Sequence, residues 1–184
     1  MLNKNDIRVI KTQKSIHHAF FTLLEQKDFQ EITVQDILDA AQINRTTFYK
    51  HYASKYALAK SLVEDFKQSI FSPLLTRRFC ESSLDVLKDT APLFFENKDK
   101  IRLLWKIETN KVHLKQDMYH LIKDSYIETL KKSPLEENID LEYQGHMYAS
   151  LTLAGITFAV NCDQPVGPEK TLANITFLFE RIIK

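Results

Sequence analysis

The chain has 184 residues, 44% hydrophobic and 27% charged, with a net charge of +1, the balance of a globular protein of one large or two smaller domains. Its only glycines are Gly145, Gly155 and Gly167, which excludes the glycine-rich phosphate loops, dinucleotide turns and Gly-x-Ser-x-Gly elbows that need close backbone approach. The most apolar run, Tyr148 to Val160, has 13 residues, whereas about 20 are needed to span a bilayer.

The charged N-terminus carries no secretory pattern, so a soluble cytoplasmic protein is expected, with Cys80 and Cys162 as reduced thiols. Residues 1–60 hold nine Lys/Arg against six Asp/Glu, leaving sixteen basic and eighteen acidic residues in the remainder. This basic head on a slightly acidic body agrees with a DNA-facing N-terminus.

From Asp6 to Gln26, Ile16, Phe20, Leu23 and Leu24 follow a 3.6-residue period and predict a first helix. Thr33 is a good N-cap for a second, with Asp36 three residues on and Val34, Ile37, Leu38 and Ala41 on one face. After Ala41-Gln42-Ile43, Asn44 caps a third helix running to Lys50 or His51. Ser54 caps a fourth, with Leu58, Leu62, Phe66 and Ile70 at four-residue intervals, ending at Ser72-Pro73 as a domain joint. Further helices are predicted over Leu84–Phe95, Asp99–Lys111 and Leu114–Lys132. Ser133-Pro134 and the acidic Glu136-Glu137-Asn138 interrupt the pattern. A long helix follows from about Asp140 to Asn161, then the turn Asp163 to Gly167 and a last helix opened by Pro168.

Phe29 to Leu58 carries the function. Two short capped helices joined by a tight turn have the layout of a helix-turn-helix. In the second, Phe48 and Tyr52 face the core, while Arg45, Thr46, Thr47, Tyr49, Lys50 and His51 face largely outward. Arginine donates two bonds to guanine and the threonine methyl touches thymine, which suits a major groove. Tyr49, His51 and Lys55 are candidates for phosphate oxygens.

This stretch resembles the DNA-binding head of the TetR family of regulators. The resemblance runs through Phe29, Ile32, Thr33, Val34, Ile37, Ala41 and Ile43, then Arg45-Thr46-Thr47-Phe48-Tyr49, His51-Tyr52, Ser54-Lys55 and Leu58. It is strong over residues 6–60 and architectural beyond. It implies an all-α protein: a three-helix DNA-binding domain at 1–53, a linking fourth helix at 54–72, and a C-terminal helical ligand-binding and dimerisation domain at 73–184. It further implies a homodimer on a palindromic double-stranded operator, a repressor released by a small-molecule effector. By the same resemblance Thr33 caps its helix and contacts phosphate, Arg45 and Thr46 read bases, and Thr47, Tyr49, His51 and Lys55 grip phosphates. Two positions depart from the family pattern: Gln42 and Asp28 stand where glycine is common. A non-glycine residue in left-handed geometry costs ~1 kcal/mol.

Farther along, Gly155 lies inside a predicted helix at a cost of ~1 kcal/mol relative to alanine. Close approach of another helix, aided by Ala149, Ala154 and Ala159, would offset it. With the last helix, this resembles the two helices each subunit gives to a four-helix dimer interface in the family. Phe94, Phe95, Trp105, His113, Met118, Tyr119, His120, Tyr126 and Tyr148 form either plain core or the lining of an apolar pocket; Trp105, Tyr119 and Tyr148 are the pocket candidates. His17-His18 diverge on a helix, and His113 and His120 lack a carboxylate or thiol at ligand spacing. No metal, cofactor or catalytic activity is expected. The alternative function is a DNA-binding co-activator or adaptor controlled by a protein partner.

Overall fold

A computed structural model describes residues 4–80, 84–132, 134, 137–164 and 166–182. Ser133, Glu136 and Pro165, on which three of the expected breaks partly rest, lie outside the described residues, as does the side chain of Cys80. The protein is all-α. Its helices are α1 (Lys4–Gln26), α2 (Val34–Ala41), α3 (Arg45–His51), α4 (Lys55–Phe66), α5 (Ser72–Cys80), α6 (Leu84–Glu96), α7 (Lys98–Trp105), α8 (Leu114–Leu130), α9 (Leu141–Val160) and α10 (Pro168–Ile182), with a π-helical turn at Lys67–Phe71. No strand occurs among the described residues.

Two compact units form. The first takes the residues up to Phe66 together with Leu103–Leu114. Its core is Ile16, Phe20 and Leu24 of α1, Phe29 and Ile32 of the following loop, Ile37, Phe48, and Leu58, Leu62 and Phe66 of α4. Leu104, Ile107 and Leu114 are equally buried in it. Each such side chain contributes about 1.5–3 kcal/mol on leaving water. Lys106 Nζ donates to the Leu24 carbonyl at 2.9 Å. That oxygen lies near the end of α1, whose last turn has no basic residue of its own and whose final carbonyls need outside donors.

The helix expected over Asp99–Lys111 ends earlier, at Trp105. Lys106 and Ile107 close it with tighter bonds to the carbonyls of Leu103 and Leu104. Beyond them the Thr109 hydroxyl accepts from the N–H groups of Lys111 and Val112. A side chain that satisfies its neighbours' backbone in this way competes with continued helix.

The second unit comprises Lys67–Arg102 and the residues from Lys115 on. Here the helix end expected at Ser72-Pro73 is corrected: the helical path continues through it into α5. The π-helical turn immediately before Ser72 takes up the change, and Pro73 falls in the first turn of α5, where a missing N–H costs nothing. Within the unit Tyr126 and Tyr148 stack at 4.4 Å with Phe79 at 5.7 Å from Tyr148. Lys67 pairs with Asp117 at 2.8 Å, both largely shielded. Asp140 caps α9 by accepting from the Tyr143 N–H.

The two glycines of α9 have different surroundings. A Cβ on Gly145 would stand 2.8 Å from two side-chain carbons of Ile127 and 3.1 Å from Lys123, so any other residue there would have to push side chains of α8 aside. A Cβ on Gly155 would meet nothing within 4 Å. The close helix expected beside Gly155 is therefore not supplied by the described part of this chain. Around it an apolar row, Tyr143, Met147 and Phe158, is exposed on α9, with Phe158 63% accessible. Leu172, Phe177, Leu178 and Phe179 are likewise exposed on α10.

Candidate nucleic-acid interface

The first unit builds a tightly punctuated pair of short helices. Thr33 starts α2 with a reciprocal capping box: its hydroxyl accepts from the Asp36 N–H at 3.1 Å, and its own N–H donates to the Asp36 carboxylate at 2.7 Å. Lys27 Nζ lies 2.7 Å from the same carboxylate oxygen. The Lys27 bond, then the bonds from the Thr33 backbone and hydroxyl, pull the Asp36 pKa from 3.8 to about 2. Aspartate thus does here what the longer glutamate does in the common form of this motif.

α2 ends at Ala41 and the chain turns through Gln42, whose φ of 54° and ψ of 45° are left-handed. Gln42 N–H donates to Asp39 and Ile43 N–H to Leu38, the pair of bonds of a Schellman closure. The left-handed turn common with glycine is retained with glutamine.

Asn44 then caps α3, its side-chain oxygen accepting from the Thr47 N–H at 2.7 Å. Phe48 is fully buried, and Tyr52 is buried beside it with its hydroxyl 2.7 Å from His17 Nε2. These anchors leave Arg45, Thr46, Tyr49 and Lys50 exposed, with Thr47 and His51 half-buried. Positions four apart share a face of a helix, so Arg45 with Tyr49 and Thr46 with Lys50 make two adjoining lines that together form one polar, cationic row. Lys50 and His51 sit in the last turn of α3, where positive charge complements the helix dipole.

Thr33 is exposed at the start of α2. Lys55 is placed differently from the rest. Its Nζ donates to the carbonyls of Phe29, Gln30 and Ile32 at 2.9, 2.9 and 2.7 Å. Burial lowers its pKa, opposed by the charge of Asp36.

Gln35 escaped the sequence reading. It is exposed on α2, its Oε1 is 3.5 Å from Arg45 Nη2, and its Nε2 donates to Asp39 at 2.9 Å. Nothing local signals this, because its partner belongs to the next helix. The same holds for Lys27, nine residues from Asp36.

Of the pocket candidates, Trp105 belongs to the first unit, while Tyr119 and Tyr148 belong to the second. The Tyr119 hydroxyl is hydrogen-bonded to His146 Nδ1, and Tyr148 stacks on Tyr126. Among the described residues no group of three His, Cys, Asp or Glu side chains is placed to hold a metal ion. None of the described helices is long and apolar enough to cross a membrane.

Residues 16–62 match the family described as bacterial regulatory proteins, tetR family. The chain is 24% identical over 165 residues to the "Uncharacterized HTH-type transcriptional regulator YxbF" of Bacillus subtilis (strain 168), covering 85% of this chain. It is 37% identical over 62 residues, 33% of this chain, to the "HTH-type dhaKLM operon transcriptional activator DhaS" of Lactococcus lactis subsp. lactis (strain IL1403). It spans 42% and 33% of the lengths of these two relatives. Among solved structures, a TetR transcriptional regulator from Streptococcus agalactiae 2603V has the same fold, with a TM-score of 0.68 at 24% identity over 95% of this chain and 96% of that one.

Proposed function

The chain belongs to the tetR family of bacterial regulatory proteins, DNA-binding helix-turn-helix regulators of transcription, and on that premise we propose that it is a repressor that binds a palindromic operator as a homodimer and is released by a small-molecule effector. The observation that carries the reading is the exposed row Arg45, Thr46, Tyr49 and Lys50, held rigid by the buried Phe48. In this reading Arg45 and Thr46 meet base edges. Thr33, Thr47, Tyr49, Lys50 and His51 meet phosphates, which set register rather than sequence.

The exposed apolar residues of α9 and α10 support a second copy of the chain as the dimer partner. Large contiguous apolar surface is rarely left to water, and the open space at Gly155 leaves room for a partner helix. The working division is a DNA-binding domain at 1–53, a linking helix at 54–72 and a regulatory and dimerisation domain at 73–184. The protein acts in the cytoplasm by binding and not by catalysis. An effector releases DNA only by favouring a state in which the paired heads misfit adjacent grooves, and only to the extent of its differential affinity for the two states. Tyr119 and Tyr148 of the second unit are the residues through which we would first seek it, with Trp105 as the third candidate.

A second reading is activation under a protein partner. The relative DhaS, similar over 62 residues, is described as a transcriptional activator.

Selection of binding sites from random duplex DNA tests the conclusion, with Arg45→Ala and Thr46→Ala in parallel. Enrichment of a palindrome, with altered base preference in both variants, is the expected result. No enrichment even at low salt, where phosphate contacts are strongest, overturns it.

A further inference from the structure

We propose that Lys55 is a positioning residue of the DNA-reading head: it fastens the first turn of α4 to the loop that enters α2, and so fixes where Thr33 stands, instead of binding a phosphate itself. The proposal rests on the DNA-binding reading above for its functional consequence, and on hydrogen bonds alone for the clamp.

An ammonium group has three N–H donors and no acceptor. All three donors of Lys55 have a backbone oxygen within 2.9 Å, at Phe29, Gln30 and Ile32. The same nitrogen lies 4.8 Å from the ring centroid of Phe29 and 5.4 Å from that of Tyr56, so it is also held over two aromatic faces. Phe29 is itself buried and packed edge-on against Phe20 and Tyr56.

The loop between α1 and α2 is short, and its carbonyls have no helix or sheet ladder to serve them. Withdrawing Lys55 toward DNA would strip all three of a charged donor, and the part-buried carbonyls of Phe29 and Ile32 are the costly ones to leave without it. The last of the three, Ile32, immediately precedes Thr33. The N–H of Thr33 is bound by Asp36, so the clamp from α4 and the capping box of α2 meet at one peptide unit. Moving the start of α4 therefore moves the N-terminus of α2 with it.

The test uses the full-length protein, the operator it selects, and the variants Lys55→Met and Lys55→Arg. For Lys55→Met the expected result is operator binding about tenfold weaker, an unchanged slope of log affinity against log salt, and faster amide exchange at residues 29–33 in the free protein. A lost phosphate contact would instead lower that slope by about 0.9 for each lysine removed and leave exchange untouched, which overturns the proposal.

Arginine keeps the charge but presents a planar fork, which cannot meet three carbonyls converging on one point. Lys55→Arg is therefore expected to bind weakly as well. Wild-type affinity in that variant overturns the proposal even if Lys55→Met fails to fold. If the wild-type protein selects no DNA, the functional reading falls, while exchange at residues 29–33 in Lys55→Arg still decides the clamp.

Discussion

Gln42 holds the only positive φ of a non-glycine residue among the described residues, and its replacement by glycine should stabilise the protein. A Cβ in the left-handed region crowds the following carbonyl oxygen at a cost of about 1–2 kcal/mol. Glycine removes that crowding but frees the unfolded chain by about 0.4–1 kcal/mol. The difference predicts a gain of roughly 0.5–1 kcal/mol, or about 1–4 °C in Tm for a chain of this size. Gln42 is exposed, so no core surface is uncovered. Trp105 is the single tryptophan of the chain and lies in the same unit as the turn, which makes its fluorescence in urea a local reporter. Gln42→Ala retains the Cβ and should stay near wild type; Gln42→Val adds branching and should lose stability. A midpoint for Gln42→Gly at or below wild type, with unchanged m, would refute the strain argument. Equal gains from alanine and glycine would assign the effect to the glutamine side chain instead.

Asp36, with its pKa depressed from 3.8 to about 2, binds a proton more readily in the unfolded chain. Its contribution to stability is thus complete above pH 3.8 and lost as pH falls from there through about 2; Asp36→Asn should flatten the Trp105 midpoint across that window. Gly145→Ala forces Ile127 aside and should cost about 1–3 kcal/mol in urea unfolding. Gly155→Ala, with open space around it, should gain about 1 kcal/mol of helix propensity in the isolated chain, and a net loss in unfolding measured at high protein concentration would show a partner backbone packed against it. Phe158→Glu places charge on the exposed α9 row and should shift sedimentation toward monomer by at least tenfold in dissociation constant; unchanged self-association would remove α9 from the interface.

Features settled within four residues of chain were legible from the sequence. Thr33, Asn44 and Ser54 all cap the helices they were expected to cap, each accepting an N–H three residues on, because capping is decided by side-chain reach alone. Phe48 and Tyr52 are buried, as a spacing of four requires. Contacts between distant segments were not legible. The Lys55 ammonium looks in sequence like any exposed charge after a turn, yet its partners lie 23 to 26 residues earlier. The helix through Ser72-Pro73 was missed for another reason. Proline normally marks a boundary, and only the widened turn before it shows that the boundary can be crossed.

The capture of Leu103–Leu114 by the first unit has a consequence for biosynthesis. Lys106 and Leu24 are 82 positions apart, and Leu104, Ile107 and Leu114 are fully buried. Ending translation's contribution at Phe66 would leave those places in the core vacant. At about 5–20 residues per second, the ribosome needs several more seconds to deliver them. Throughout that interval the core of the first unit lacks Leu104, Ile107 and Leu114. The core of the DNA-reading unit is complete only once Leu114 has followed Phe66 out of the ribosome.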